Sequence, residues 1–430
     1  MSVPSRVKEY NRGREAERLA LKYKKIAGSP LAFFRGTPNL FYEDWKSSPL
    51  AGLETPAVWI CGDLHLENFG SYRGDNRCTY FDFNDFDEAC LGPAAWDLTR
   101  LLVSVAVEAA EREWRPKRVR ALCEDVLDSY AAALTSGKAR WVERETAHGI
   151  VQELFQSLEV RTPQTFLAKR TELVGRRRLL RKDGVKALPL SSKREAKLLS
   201  ALVDSIGGFR FLDGARRIAG NSSLGVPRFA LLVEDMAEDV FLLDLKQARP
   251  PVGLMFHPGP PQPMWESDAH RVATVQSMVQ AIPLAFLRPV QFAGEWWVLR
   301  ELMPSEDRVD IANASNRKFI EHVHSLGQVV AWGHLRSGGR LGSANIDALI
   351  QFGERQAWRG RIARYAVEYS RQVRSDWEAF VRSTASAPAA PVAPDRWSGW
   401  CRRFLRRSRC PARRAGCWTR CCPGSGSSSC

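Results

Sequence analysis

Two short apolar runs, Ala57–Cys61 and Cys78–Phe83, read as buried strands, and each leads into an acid: Asp63 after Gly62, and Asp82 after Thr79-Tyr80-Phe81. The turn sequence Arg73-Gly74-Asp75-Asn76 lies between these strands as it would in a hairpin. A helical period then predicts a helix from about Ala94 to Ala110, and mostly helix through 111–205, where Arg176-Arg177-Arg178 and Arg181-Lys182 form a basic patch on a helix. From 206 to 304 the pattern changes to strands at Arg216–Ala219, Phe229–Glu234, Val240–Lys246 and Trp296–Leu302, with one helix over Ser267–Ile282. Helices return at 315–336 and 354–382, and the stretch from Arg6 to Lys25 is basic and amphipathic. No internal repeat is visible.

This order divides the chain into residues 1–205, carrying the acid-bearing strands and a helical segment; a β-rich region, 206–304; a helical region, 305–382, that completes the first; and a tail, 383–430. The tail opens with the linker composition Ser383-Thr384-Ala385-Ser386-Ala387-Pro388-Ala389-Ala390-Pro391 and continues rich in Arg, Cys, Trp, Gly and Ser with no apolar period. It is expected to be disordered, and its composition suits a frameshifted read-through of a GC-rich gene better than an evolved domain.

Composition changes the picture only once it is divided by position. The 430 residues carry a formal net charge of +15, but residues 401–430 hold eight Arg and no Asp, Glu or Lys, which leaves +7 on the first 400. That remainder suits phosphate-bearing ligands as well as RNA, so charge leaves nucleic acid open as a partner. Six of the ten Cys also fall in the last thirty residues, without His and without paired CxxC spacing, a poor zinc module. The other four, Cys61, Cys78, Cys90 and Cys123, read as reduced thiols. No run of 18 apolar residues predicts a membrane span, and the first residues lack a secretory core, so a cytoplasmic location is expected.

The chemistry centres on Gly62-Asp63-Leu64-His65-Leu66-Glu67-Asn68. A glycine frees the carboxylate at the strand end, and five residues let a tight loop bring the Asn68 amide beside it. Phosphoryl transfer needs such a set: a carboxylate to take or orient the nucleophile's proton, with an Asn and an Asp as hard oxygen ligands for magnesium. Gly220-Asn221-Ser222-Ser223-Leu224-Gly225, between strand-like segments, is a candidate phosphate loop in which Gly220, Ser222, Ser223 and Gly225 let backbone amides approach phosphate oxygens. Phe241-Leu242-Leu243-Asp244-Leu245-Lys246 is an apolar strand ending in the lysine that would clamp those phosphates. Its orienting partner is left open between Glu266 and Gln276, and Glu295–Leu302 is the candidate strand and hinge for adenine.

The loop from Gly62 to Asn68 resembles the HGDxxxxN loop of aminoglycoside phosphotransferases and choline kinases, with Cys61 in place of the usual His. Phe81-Asp82-Phe83-Asn84-Asp85 is similar to their metal-binding segment, and Leu91-Gly92-Pro93-Ala94-Ala95-Trp96-Asp97-Leu98 to their following helix start. The resemblance implies that Asp63 is the catalytic base, Asn68 and Asp82 are magnesium ligands, and Asp97 is a structural acid. The wider chain, over roughly 5–382, looks like a bacterial family known as domain of unknown function 2252, on Ser29–Gly36, Cys61–Gly70, Gly220–Gly225, Leu243–Ala248 and Arg336-Ser337-Gly338.

Together these readings predict an α+β, protein kinase-like two-lobe fold that uses ATP and Mg2+ on an acceptor, small molecule or protein, that the sequence does not name. Lys246 follows Asp63, the reverse of the usual kinase order, so the fold is expected to be circularly permuted. Nucleotidyl transfer by the same residues, and a non-catalytic pseudokinase or RNA-binding protein, are the alternatives. A metallophosphoesterase, suggested by Asp63-Leu64-His65, lacks further His motifs. His65 is expected to brace the loop, and Arg35 to meet either a phosphate or a buried acid.

Overall fold

The helix over Ala94–Glu111 is apolar on nearly every face, and a helix of that kind belongs inside. In the computed structural model, which describes residues 1–385, the other helices pack around it. The chain enters through α1 (Val3–Tyr10), α2 (Ala16–Ile26), α3 (Pro30–Gly36) and α4 (Pro38–Trp45). Ser29 caps α3 by accepting from the Ala32 amide at 3.1 Å, with Pro30 in the first turn, where its missing N–H costs nothing. Then come β1 (Ala57–Ile60), β2 (Phe69–Arg73), β3 (Thr79–Phe83), β4 (Cys90–Pro93), α5 (Ala94–Glu111), α6 (Pro116–Thr135), β5 (Val142–Glu143), α7 (Gly149–Glu159) and α8 (Pro163–Ala168).

A second run of elements follows: β6 (Thr171–Val174), β7 (Arg177–Leu180), β8 (Ala187–Leu188), α9 (Lys193–Ile206), β9 (Phe209–Arg217), β10 (Arg228–Asp235) and β11 (Val240–Gln247). It continues through α10 (Val252–Phe256), α11 (Asp268–Val279), β12 (Arg288–Phe292) and β13 (Glu295–Leu302). Helices α12 (Asn316–Ser337), α13 (Ile346–Glu354) and α14 (Ala357–Ala385) return to pack against α5 and α6. The architecture is mixed α+β.

A six-stranded antiparallel sheet, ordered β12-β13-β11-β10-β9-β8, frames one side of the candidate site. Its registers pair Arg228 with Lys246, Lys246 with Val298, and Asp244 with Arg300. Alternation along each strand puts these polar residues on one face, while Phe229, Leu231, Leu243, Leu245, Trp297 and Leu299 are buried on the other. Trp297 is therefore core.

Three sequence expectations change. The Arg73–Asn76 turn does join a hairpin, but between β2 and β3; β1 pairs instead with β4. Strand β2 was missed because Phe69-Gly70-Ser71-Tyr72-Arg73 is not an apolar run, although Phe69 and Tyr72 are buried. The Arg176–Lys182 patch lies on and beside the β6–β7 hairpin rather than on a helix, because Gly175 takes a positive φ of 61° and turns the chain back. The strand expected at Arg216–Ala219 is the end of β9, which stops at Arg217, whereas the helix expected at 354–382 is present as α14. The readings of the linker and the Arg/Cys-rich tail fall, from residue 386 onward, outside the described residues.

Candidate active site

Asp63 is held by the peptide that precedes it. Gly62 has φ +77° and packs so closely on Glu88 that a Cβ would come within 2.0 Å of its carbonyl oxygen, so only glycine fits. The amides of Cys61 and Gly62 donate to the two carboxylate oxygens of Asp97, at 2.8 and 3.0 Å, and Tyr42 Oη donates to the Gly62 carbonyl at 2.5 Å. Asp97 thus plays the structural part expected of it from the first turn of α5, and burial pushes its carboxyl up to about 6.

One turn further along α5, Arg100 is fully buried and forms an ion pair with the Asp63 carboxylate. The guanidinium lies over the rings of Phe34 and Phe41, 4.5 and 5.0 Å from their centroids. Burial pushes the Asp63 carboxyl up, Arg100 holds it down, and Glu88 and Asp85 push it up again, leaving it at about 7. That value lies where a general base works best at neutral pH.

Asn68 is 1% exposed and donates through Nδ2 to the carbonyls of Asp63 and Asp85, both at 3.2 Å, with Cys61 Sγ at 3.7 Å. A flipped amide would set its oxygen against two carbonyls, so the orientation is fixed. Its Oδ1 is left buried and without a partner. Cys61, where the resembling loops carry His, still takes part in the loop as an acceptor.

From the distant sheet, Lys246 of β11 reaches this loop. Its Nζ forms an ion pair with Asp87 and lies 3.9 Å from Asp85. Burial pushes the Asp85 carboxyl up, but Lys246, the Asp87 amide and Arg228 outweigh it and leave the group below its ordinary value. Asp87 moves the other way, raised by burial and by the Asp85 charge. A cleft of about 560 Å³ opens here, lined by Asp85, Asp87, Gly220, Lys246, Gln276 and Arg300 among others.

The family model described as "Uncharacterized protein conserved in bacteria (DUF2252)" matches residues 14–383. The chain belongs to this family. No curated protein and no solved structure matches it.

In this DUF2252 chain the glycine-rich loop between β9 and β10 is fastened from one side. Arg14 Nη1 donates to the carbonyls of Ser222 and Leu224, Lys22 Nζ to Ser222, and Arg18 Nη1 to Arg217 and Val226. The amides of Gly220, Asn221, Ser222, Ser223 and Gly225 donate to nothing among the described residues. Carbonyls tied down and amides left free are the arrangement an anion needs.

Asp82 is placed elsewhere. Its oxygens accept from Arg336 Nη2 at 2.6 Å, the Ala281 amide at 3.1 Å and the Phe83 amide at 2.9 Å, and it does not line the cleft. The structure brings Asn68, Asp85, Asp87 and Lys246 together and puts Gly220 in the cleft wall. It joins Asp63 to them through the bond from Asn68 to its carbonyl, lines the cleft with neither Asp63 nor Asn68, and leaves Asp82 as a buried tie between β3, α12 and the chain after α11. Asp85, three residues later, does line the cleft. The orienting partner of Lys246 is Asp87; Gln276 bonds Gln280 at 3.2 Å and Glu266 pairs with His270 at 3.2 Å.

Among the remaining DUF2252 residues, His65 Nδ1 accepts from the Glu67 amide at 3.1 Å and braces the loop, and Arg35 pairs with Glu67 at 2.6 Å. Asp85 and Asp87 stand in the acid-bearing segment that the sequence points to but carry no assigned role there, and Arg100 and the Arg14–Lys22 clamp are not among the sequence candidates. Only Arg100 carried a usable signal, three residues after Asp97 on an obvious helix and so on the same face.

Proposed function

We propose that the chain is a kinase-like phosphotransferase, circularly permuted in order, that uses a metal-bound nucleoside triphosphate. The reading rests on one observation: Lys246 pairs with Asp87, 159 residues earlier in the sequence, and lies 3.9 Å from Asp85, beside an Asn68 amide bonded to the backbone of both Asp63 and Asp85. A glycine-rich loop between paired strands β9 and β10, with the lysine on the adjoining strand β11, is the order that a phosphate clamp requires.

The metal role moves from Asp82 to Asp85 in this proposal. Asn68 Oδ1, buried and unpaired, and the Asp85 carboxylate are hard oxygen donors on the two segments that flank the open end of the β2–β3 hairpin, and they fit Mg2+. Among the described residues no three His, Cys, Asp or Glu side chains converge as a metal cage. Two protein oxygen donors would hold an ion whose other positions go to phosphate and water. When bound, the ion neutralises phosphate charge.

The chain's own residues then divide the work. Asp63, near pH 7 in its titration, accepts the proton of an acceptor hydroxyl as that oxygen attacks phosphorus. Lys246 fixes the phosphates and is itself held in place by Asp87. The free amides of the 220–225 loop receive phosphate oxygens without any side chain having to move. Arg228 and Arg300, on the cleft face of the sheet, offer planar guanidinium groups on which a base can stack. Label transfer from γ-labelled ATP to water or an acceptor tests the proposal: Asp63→Asn should abolish it while the variant still binds nucleotide. Transfer of the adenylyl rather than the γ-phosphoryl label would instead favour nucleotidylation.

A further inference from the structure

A second cavity, of about 700 Å³, shares Asp87 with the nucleotide cleft and has Glu88 in its wall. Ser222 and Ser223 of the glycine-rich loop form part of its wall, so it borders the proposed phosphates directly. Tyr10, Arg14, Gln247 and Arg249 also line it, with Met255 and Phe256, 63% and 37% exposed. Glu88, in the cavity wall, packs against Gly62, the residue before Asp63, which sets the cavity next to the loop that carries the proposed base.

The arginines around this cavity are not equivalent. Arg6 is taken by Glu43 and Asp44, Arg12 by Glu9, and Arg14 by the loop carbonyls. The Arg249 side chain makes no hydrogen bond or ion pair among the described residues, although it is only partly exposed; its carbonyl alone is used, by Arg271. Burial and the neighbouring Arg14 charge both disfavour its protonated form. A guanidinium left half-buried and unpaired is costly unless something supplies the counter-charge. Tyr10 and Glu88 offset this in part without pairing with the guanidinium, and Glu88 Oε2 already accepts the Val252 amide at 2.6 Å.

We infer that this cavity is the acceptor pocket, and that it takes a small hydroxyl-bearing anion, a carboxylate or a phosphate monoester, whose charged group pairs with Arg249. The inference rests on the proposed phosphotransferase reading and narrows its acceptor from any molecule to this class. The transfer balances as follows. Asp63 takes the hydroxyl proton, the freed oxygen forms a bond to the γ-phosphorus, and the bond from that phosphorus to the β-bridging oxygen breaks, leaving nucleoside diphosphate. The anionic group takes no part in the bond changes; it fixes which hydroxyl faces Asp63.

The test uses glycerate, glycerol 3-phosphate and neutral glycerol as probes, with the full chain, and reads thermal stabilisation with and without magnesium nucleotide. One or both anions should stabilise the wild type while glycerol does not, and the comparison of the two identifies the anion. Arg249→Ala should weaken anion binding roughly tenfold or more, the loss expected for a charge-assisted contact, and Arg249→Lys should lose less. Both variants should keep the wild-type response to magnesium nucleotide, which also shows that they are folded, and Arg120→Ala on the far helix α6 should behave as wild type. Equal binding of glycerol, no response to either anion, or undiminished anion binding by Arg249→Ala overturns the inference. Anion binding without any nucleotide response leaves the pocket standing and sinks the phosphotransferase reading instead.

Discussion

Removing the positive charge behind Asp63 gives a sharp expectation about pH. In the wild type burial drives the Asp63 carboxyl up and Arg100 restrains it, so that it titrates at about 7. A base with that value is about one-tenth ionised at pH 6 and fully competent only above pH 8, so turnover should climb about tenfold from pH 6 to its plateau. Arg100→Met keeps a long apolar stem on the Phe34 and Phe41 rings but deletes the ion pair. Each 1.4 kcal/mol of lost attraction moves the midpoint by about one unit, and a fully buried pair supplies at least that much. The midpoint should therefore rise to about 8 or beyond, and turnover at pH 7 should fall about fivefold while recovering at higher pH. The assay is the pH profile of metal-dependent nucleotide hydrolysis, paired with carbon NMR of the Asp63 carboxyl, which needs no substrate. A wild-type carboxyl titrating near 4, or a midpoint that stays put in Arg100→Met, would refute the reasoning.

Other expectations separate structural groups from chemical ones. Asp82→Ala strands the Arg336 guanidinium and the Ala281 amide, and should cost about 3–5 kcal/mol in a denaturant melt, with nucleotide binding retained in the folded fraction. His322 has both ring nitrogens buried without partners, and burial lowers its pKa to about 3. The unfolded chain binds that proton near pH 6.5, so stability is full above 6.5 and is lost as pH falls toward 3, by about 4–5 kcal/mol in total. His322→Phe, which can keep the edge contact with Phe81, should remove that part of the acid slope, measurable as melts from pH 7 to pH 4.

Much of the site could be read from the chain because it is local. Gly62, Asp63 and Asn68 lie within seven residues, and the acid that pins them, Asp97, opens a helix of evident period. The strands β10, β11 and β13 were legible because each alternates an apolar face, as Leu243 and Leu245 do against Asp244 and Lys246. What the chain concealed was direction and pairing. Asp82 and Asp85 are both acids in one short segment, and the choice between them is made by β3, whose pleat turns Asp82 toward Arg336, 254 residues away. The clamp on the 220–225 loop likewise joins residues about 200 positions apart, and its donors, Arg14, Arg18 and Lys22, read as an ordinary basic helix until their carbonyl partners are seen. The hairpin that carries Arg177 and Arg178 looked helical because period alone does not separate short mixed segments, and one glycine decides the matter.

The central claim is that Lys246 and Asp85, brought together from distant parts of the chain, grip one metal-bound triphosphate. The measurement is thermal stabilisation by ATP with magnesium, compared among wild type, Asp85→Ala and Lys246→Ala. At one hundred times its dissociation constant the nucleotide should add about 2.7 kcal/mol to the wild type, need magnesium to do so, and add little to either variant, each folded in its absence. A wild type indifferent to every nucleoside triphosphate with divalent ion present, or variants protected as fully as it is, would contradict the account.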